Sequence, residues 1–423
     1  MNLNEWFLLF LSFNLIIFGG SYKLFKLAGV EGWKSLIPIY NIVKHLDIIK
    51  RPRWWAILVF IPVINLLMIP VIWVEFIKTF NHNSKLDRVL VIFTLGLYIY
   101  YISYLSSKTK YIGKIDFSNF EKSIGSFVFA IVIATIVHNY ILQPFVIPTG
   151  SLEKTLRVGD FLLVSKFHYG ARIPSTVISF PMVHDTIPII KSRSYLNKPQ
   201  LPYLRIPGFQ EIKNNDIVVF NWPADTVRKF FVKEKGVVKP RDKKSNYVKR
   251  AIGIPGDTLE IKDGVIYLNG IENILPDRAK PLFTYLIKSN KGVSSSKLIN
   301  LEIDGFIRKF IISNLANDSY AEISKYILNI SNTKENEYLV YTYDKGIPID
   351  LVREYGLDIR EIIDNKKELN LTYDDAVKIE KSNEFDTIYR VTEKINVSNS
   401  NFFPNNKRFR WNNDQLGPLY IPK

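Results

Sequence analysis

The chain contains no cysteine. Disulfides, thiolate nucleophiles and cysteine-ligated zinc are therefore excluded, while an external compartment stays open to it. Histidine is scarce: His45, His82, His138, His168 and His184 are the whole set, with no HExxH or other close pair. A metal is therefore not expected, and none of the chemistry considered below requires an organic cofactor. Acidic side chains fall short of basic ones, 40 against 56, leaving +16 over 423 residues. Such a surplus suits nucleic acid, an anionic membrane face or topology-setting loops. No basic stretch is interleaved with stacking aromatics outside the apolar N-terminal part, so nucleic acid is not expected as a partner. Long apolar runs are absent beyond residue 147, and that absence divides the chain in two.

The first part is where those runs lie. Leu3–Gly20, Trp55–Val74, Val89–Leu105 and Ser123–Leu142 are apolar enough to cross a bilayer, the first being marginal in length. The first lacks the basic start and small-residue cleavage site of a secretory leader. Loop charge orients the set. The loop 21–54 holds seven basic residues (Lys23, Lys26, Lys34, Lys44, Lys50, Arg51, Arg53), and 106–122 holds four (Lys108, Lys110, Lys114, Lys122). Lys78, Lys85 and Arg88 lie between the second and third runs. Placing the seven and the four inside puts the N-terminus, and everything after residue 143, outside. His138 and Asn139 fall near the outer end of the fourth run, where a snorkelling polar residue is the plainer reading than an intramembrane site.

After residue 143 short β-branched runs alternate with turn residues: "DFLLVSKF", "NDIVVFNW", "NYVKRAIGI" and "TLEIKDGVIYLNG". Asp263-Gly264 and Asn269-Gly270 are hairpin signals, because both central residues of such turns need positive φ. The expected fold is a set of membrane-anchoring helices followed by a mainly-β domain of antiparallel sheets with a large α/β insertion. The expected boundaries are a multi-span region 1–120, an anchoring span 121–143, a β-rich core 144–271, an insertion or cap 272–402 and a returning core strand 403–423. "YDDAVKIEKSNEF" in the insertion reads as helix.

The stretch "IPTGSLEKTL" places Ser151 just after the fourth run. A Ser-His-Asp triad would need a nucleophile elbow GxSxG, and Gly150-Ser151-Leu152-Glu153 lacks the last glycine; His168 and His184 are the histidines on this side. "SLEK" matches SxxK with Lys154 as base, but no SDN or KTG follows. The third option is a lysine far along the chain. Lys249 lies among apolar neighbours in "NYVKRAIGI", whereas Lys154 and Lys166 sit in polar contexts where they are expected to stay charged. A lysine is a general base only when neutral, and moving a pKa from about 10.4 to about 7 takes roughly 4–5 kcal/mol of disfavoured charge. Burial among apolar side chains supplies that.

Four blocks in order, "FVIPTGSLEKTL", "VGDFLLVSKFHYG", "NNDIVVFNWP" and "YVKRAIGIPGDTLEI", resemble the bacterial type I signal peptidases, membrane-anchored Ser–Lys endopeptidases. They cover about 130 residues. "GWKSLIPIYN" is similar to an extra multi-span region of some members. The resemblance implies Ser151 as nucleophile, Lys249 as general base and Thr149 as the oxyanion hydroxyl beside the Ser151 N–H. It also implies Phe145, Ile147 and Val248 as the lining of shallow pockets for small side chains. Asp160, Gly256 and Asp257 fit turns. The implied activity is removal of signal peptides after Ala-x-Ala-type sites, on the outer face of the bacterial cytoplasmic membrane, with signal peptides and membrane lipid as partners. A final family block, close to GDNxxxSxDSR, is not found; "GPLYIPK" resembles the strand leading to it. From that departure two hypotheses follow, a truncated or split chain that is inactive or completed by a second polypeptide, and a site that works poorly without the missing strand; a non-enzymatic membrane protein that keeps the fold as a binding partner is the remaining alternative.

Overall fold

A computed structural model describes residues 3–113, 115–152, 154–225, 236–334, 336–399, 402, 404, 406 and 408–423. Lys114 and Glu153, both named above, lie outside the described residues, as do parts of 400–407. The chain forms two compact units: Met1–Pro148 with Val158–Ala251, and Thr149–Arg157 with Ile252–Lys423.

The first unit begins with helices α1 (Leu3–Gly19), α2 (Tyr22–Leu27) and α3 (Tyr40–Ile48). The expected second span is broken into α4 (Trp55–Phe60) and α5 (Asn65–Lys78). Ile61 precedes Pro62 and is extended (ψ 119°), as the clash with a following proline ring demands, and Val63 takes positive φ. The expected third span breaks likewise. Helix α6 (Lys85–Phe93) starts on a Ser84/Asp87 capping box and stops where Leu95 and Gly96 turn left-handed; α7 (Tyr98–Tyr100) then runs into a π-helical turn, Tyr101–Leu105. Helix α8 (Asn119–Ile136), capped by Ser118 and Glu121, continues through a π turn to Ile141. Among the described residues Asn119–Ile141 is the one helix long and apolar enough to cross a membrane; Asn4–Gly19 is shorter. Phe25, Leu46, Phe76, Phe80 and Ile102 are fully buried among these helices. Their charges are paired: Arg51 grips Glu75 with two hydrogen bonds of 2.8 and 2.7 Å, and Lys78 and Arg88 share Glu121, each at 2.8 Å.

Helix α8 feeds directly into β1 (Leu142–Val146), which pairs antiparallel with β2 (Phe161–Ser165), Leu142 opposite Ser165. Strand β3 (Asp216–Asn221) pairs antiparallel with β4 (Asn246–Ala251) over all six residues. Residues between β2 and β3 are held by isolated bridges, such as Arg172 to Arg205 and Thr176 to Gln200. The Trp6 indole donates to the Gln200 carbonyl at 2.9 Å, joining α1 to this segment.

In the second unit β5 (Thr258–Lys262), β6 (Val265–Leu268) and β7 (Ile271–Glu272) form a meander, joined by the expected turns: Asp263, Gly264, Asn269 and Gly270 all have positive φ. The insertion then runs β8 (Phe283–Lys288), α9 (Ser295–Asn300), β9 (Ile307–Ser313), α10 (Asn317–Ile323), β10 (Ile327–Lys334), β11 (Glu337–Tyr343), α11 (Ile349–Glu354), β12 (Asp358–Glu361), β13 (Lys366–Leu371), α12 (Tyr373–Ser382) and β14 (Thr387–Arg390). Its halves follow one plan. "YLIKSNKG" before α9 parallels "YLVYTYDKG" before α11, and Gly292 and Gly346 both turn with positive φ. The halves exchange their first strands: β8 lies between β13 and β14, and β11 between β9 and β10. Two small cores result, one around Ile287, Leu298 and Ile379, the other around Ile312, Ile323 and Val340. Strand β15 (Leu416–Tyr420) returns to pair with β5, completing the order β15-β5-β6-β7.

Candidate active site

Ser151 stands exposed on a turn in the second unit, two residues after exposed Thr149. One helical turn follows it, the Thr155 and Leu156 N–H groups both donating to the Leu152 carbonyl at 3.0 and 2.7 Å. Lys154 adopts the left-handed conformation (φ 68°) and donates to Asp304 of the insertion, with Asp375 4.0 Å away. The Thr155 hydroxyl donates to the Arg278 carbonyl at 3.2 Å. The turn that carries Ser151 is thus fastened to the insertion by the residues after it. An SxxK site would need Lys154 on the helix face of Ser151; here its ammonium is engaged by carboxylates instead. Sequence reading set Lys154 aside as a bystander and had no signal for this tether, because Asp304 is 150 residues away.

Lys249 is half-buried in the first unit, at the middle of β4, opposite Val218. Its strand is well anchored. The Arg250 guanidinium donates to the Asn215 carbonyl at 2.8 Å. At the start of the strand, buried Asp225 accepts from the Ser245 N–H and hydroxyl, both 2.7 Å, and from buried Lys239 at 3.3 Å. Burial pushes the Asp225 carboxyl up, but the Ser245 bonds and the Lys239 charge outweigh it and hold its pKa below the usual carboxylate range. The loop that supplies Asp225 carries no motif pointing to this role.

Phe145 and Val248 are half-buried on β1 and β4, and Ile147 is fully buried just beyond β1. The Ile147 N–H donates to the Asp160 carbonyl and its carbonyl accepts from Gly159, which locks the segment leading to Thr149. The turn roles of Gly256 and Asp257 are visible: Gly256 has φ 99°, and the Asp257 carboxylate accepts from the Ile254 N–H and the Asn269 amide, both at 3.0 Å. Lys166 departs from the exposure expected of it, though it stays mostly charged at neutral pH. It is half-buried, and burial, reinforced by the Arg172 charge, draws its pKa down to about 8. Exposure therefore does not separate Lys166 from Lys249; the sequence block around Lys249 does.

That block has counterparts. Residues 121–298 match the family described as signal peptidase, peptidase S26, and residues 33–114 match a family of unknown function (DUF5684). A signal peptidase I of Rickettsia massiliae (strain Mtu5) is 34% identical over 145 residues, which is 34% of this chain and 41% of that protein. One from Rickettsia typhi (strain ATCC VR-144 / Wilmington) is 32% identical over 149 residues, 35% of this chain and 43% of that protein. The chain thus spans about two fifths of the length of these curated relatives. No solved structure matches it. The S26 region holds α8, β1 to β8 and both candidate reacting residues, so the resemblance to bacterial type I signal peptidases rests on this part of the chain.

Proposed function

We propose that the chain is a membrane-bound serine endopeptidase that removes signal peptides from exported preproteins after small residues of the Ala-x-Ala type. The observation that carries this reading is the S26 match over 121–298, which contains Ser151 and Lys249 in their family blocks. Ser151 attacks the scissile carbonyl; Lys249 acts as the general base that takes the hydroxyl proton and delivers it to the leaving amine. The tetrahedral oxyanion is met by the Thr149 hydroxyl and the Ser151 N–H. One such donor is worth roughly 3–4 kcal/mol of transition-state stabilisation. Water then hydrolyses the acyl-enzyme, with Lys249 again as base. Phe145, Ile147 and Val248 restrict the accepted side chains to small ones.

In this reading the helices before residue 119 form a multi-pass region in the bacterial cytoplasmic membrane. The basic loops 21–54 and 106–122 face the cytoplasm, and the peptidase strands face outward, where lipid and exported preproteins are the partners. The test is incubation of the purified chain in lipid with a preprotein bearing an Ala-x-Ala site, followed by N-terminal sequencing of the product. Cleavage after the second alanine, lost in Ser151→Ala and in Lys249→Ala, is expected. No cleavage by the unsubstituted chain, together with no labelling of Ser151 by a lipopeptide inhibitor of such enzymes, overturns the enzymatic reading in favour of a binding role.

A further inference from the structure

A polar cavity of about 110 Å³ opens within the first unit, between the end of α8 and the segment that follows β2. A single buried water needs only roughly 10–15 Å³, so there is room for a small polyatomic ion. Three cations line it: Lys166, Arg172 and Lys243. Lys243 is buried and donates to the Ser179 hydroxyl at 2.7 Å and the Val183 carbonyl at 3.3 Å. The one carboxylate in the lining, Asp242, is turned to other donors: the Ser175 hydroxyl at 2.7 Å, and the Thr176 hydroxyl and N–H at 2.8 and 3.1 Å. Among the described residues neither the Lys166 ammonium nor the Arg172 guanidinium has a hydrogen-bond or ion-pair partner, although both are half-buried. Asp242 attracts Arg172 and Lys243, and Asp185 attracts Lys243, but two carboxylates do not balance three cations withdrawn from water, so an additional anion is favoured here. Their mutual repulsion is visible in Lys166, whose proton is held less tightly because of burial and Arg172.

The ligand class follows from the groups and their place. A guanidinium with an unused fork, in a lining it shares with two lysines, suits the oxygens of a phosphate. His138, at the outer end of the apolar helix Asn119–Ile141, lies in the same lining. If that helix spans a bilayer, the cavity lies where hydrocarbon gives way to headgroups. We infer that this cavity is a phosphate-binding site, filled by the headgroup phosphate of an anionic phospholipid or by free phosphate. The inference is independent of which residues perform peptide cleavage, since none of Ser151, Thr149 and Lys249 lines the cavity.

The test uses the full chain in neutral detergent, with phosphatidylglycerol, phosphatidylcholine and inorganic phosphate as probes. Native mass spectrometry counts retained lipid, and thermal melting follows phosphate against chloride at matched ionic strength. The expected result is preferential retention of phosphatidylglycerol, reduced at least five-fold in Arg172→Gln and in Lys166→Gln and only partly restored by Arg172→Lys, which keeps the charge but not the fork. Stabilisation by inorganic phosphate that vanishes in the same variants, without preference between the two lipids, supports the site with free phosphate as its occupant. Lys166 makes no side-chain bond that folding depends on, so Lys166→Gln decides the matter should Arg172→Gln fail to fold. Equal retention of both lipids by all variants, with no phosphate effect beyond that of chloride, overturns the inference.

Discussion

Lys249 lies in mid-strand, on a ladder in which all six residues of β4 face partners on β3, and its strand is anchored at one end by Asp225. Ser151 lies on an exposed turn, held by a single helical turn and by the grip of Lys154 and Thr155 on the insertion. The two candidate partners are thus positioned by different means and in different units. A base whose proton affinity must be tuned benefits from a rigid, half-apolar strand, while a nucleophile that must meet an extended substrate benefits from exposure. The price of that exposure is that the turn depends on distant tethers.

The largest effects are expected where both means of positioning are bypassed and the reacting groups themselves are removed. Ser151→Ala and Lys249→Ala should each lower kcat by at least about 10³-fold with little change in Tm, and the double variant should be no worse than either alone, as for groups that act as one unit. Additive losses, measured as initial rates on a preprotein substrate, would show that the two residues do not share a step.

Next in size is the strand anchor. Asp225→Asn removes a charge from buried Lys239 and weakens two bonds to Ser245, at a cost of about 3 kcal/mol. Its pH dependence has a definite sign. Because the folded pKa of Asp225 lies below its unfolded value, its stabilisation is present above the ordinary aspartate pKa and is lost as pH falls through the folded one. The Asp225 contribution to the thermal melts of the parent chain should therefore persist down to about pH 4 and fall away below it, and the Asp225→Asn variant should show a shallower fall in that acid range. Identical pH slopes would remove Asp225 from the account.

How far the sequence reaches differs in the same way between the two regions. The strands β2 to β6 and the hairpins at Asp263-Gly264 and Asn269-Gly270 are legible because period-two patterning and turn chemistry are local. The helix Asn119–Ile141 is legible because its apolar run is unbroken. The breaks at Ile61–Val63 and Leu95–Gly96 are missed because composition alone does not weigh one proline or one glycine against a long apolar run, although Pro62 and Gly96 were there to be read. The strand exchange in the insertion, the Lys154–Asp304 tether and the burial of Lys166 depend on residues far apart in the chain, and no local pattern announces them. Ser151 and Lys249 are proposed through motif resemblance, which can point to a placement that propensity cannot.

The tether gives the smallest effect and the sharpest comparison. Asp304→Asn leaves the shape of the side chain but removes the charge that holds Lys154, with Asp375 at 4.0 Å as a weaker substitute. Partly exposed pairs of this kind contribute roughly 0.2–1 kcal/mol to stability, so Tm should barely move. If the insertion positions the nucleophile turn, kcat should nevertheless fall by about five-fold while KM changes less, because a displaced nucleophile loses alignment in the transition state rather than substrate affinity. Lys154→Ala should match it, and the Asp304→Asn/Lys154→Ala pair should not add to either. An equivalent change on the strand side, such as Val218→Ala opposite Lys249, should show the reverse balance: a loss of stability that accompanies any loss of rate. Equal stability and rate penalties in both regions would mean that the insertion only caps the domain, and that the turn carrying Ser151 needs no help from it.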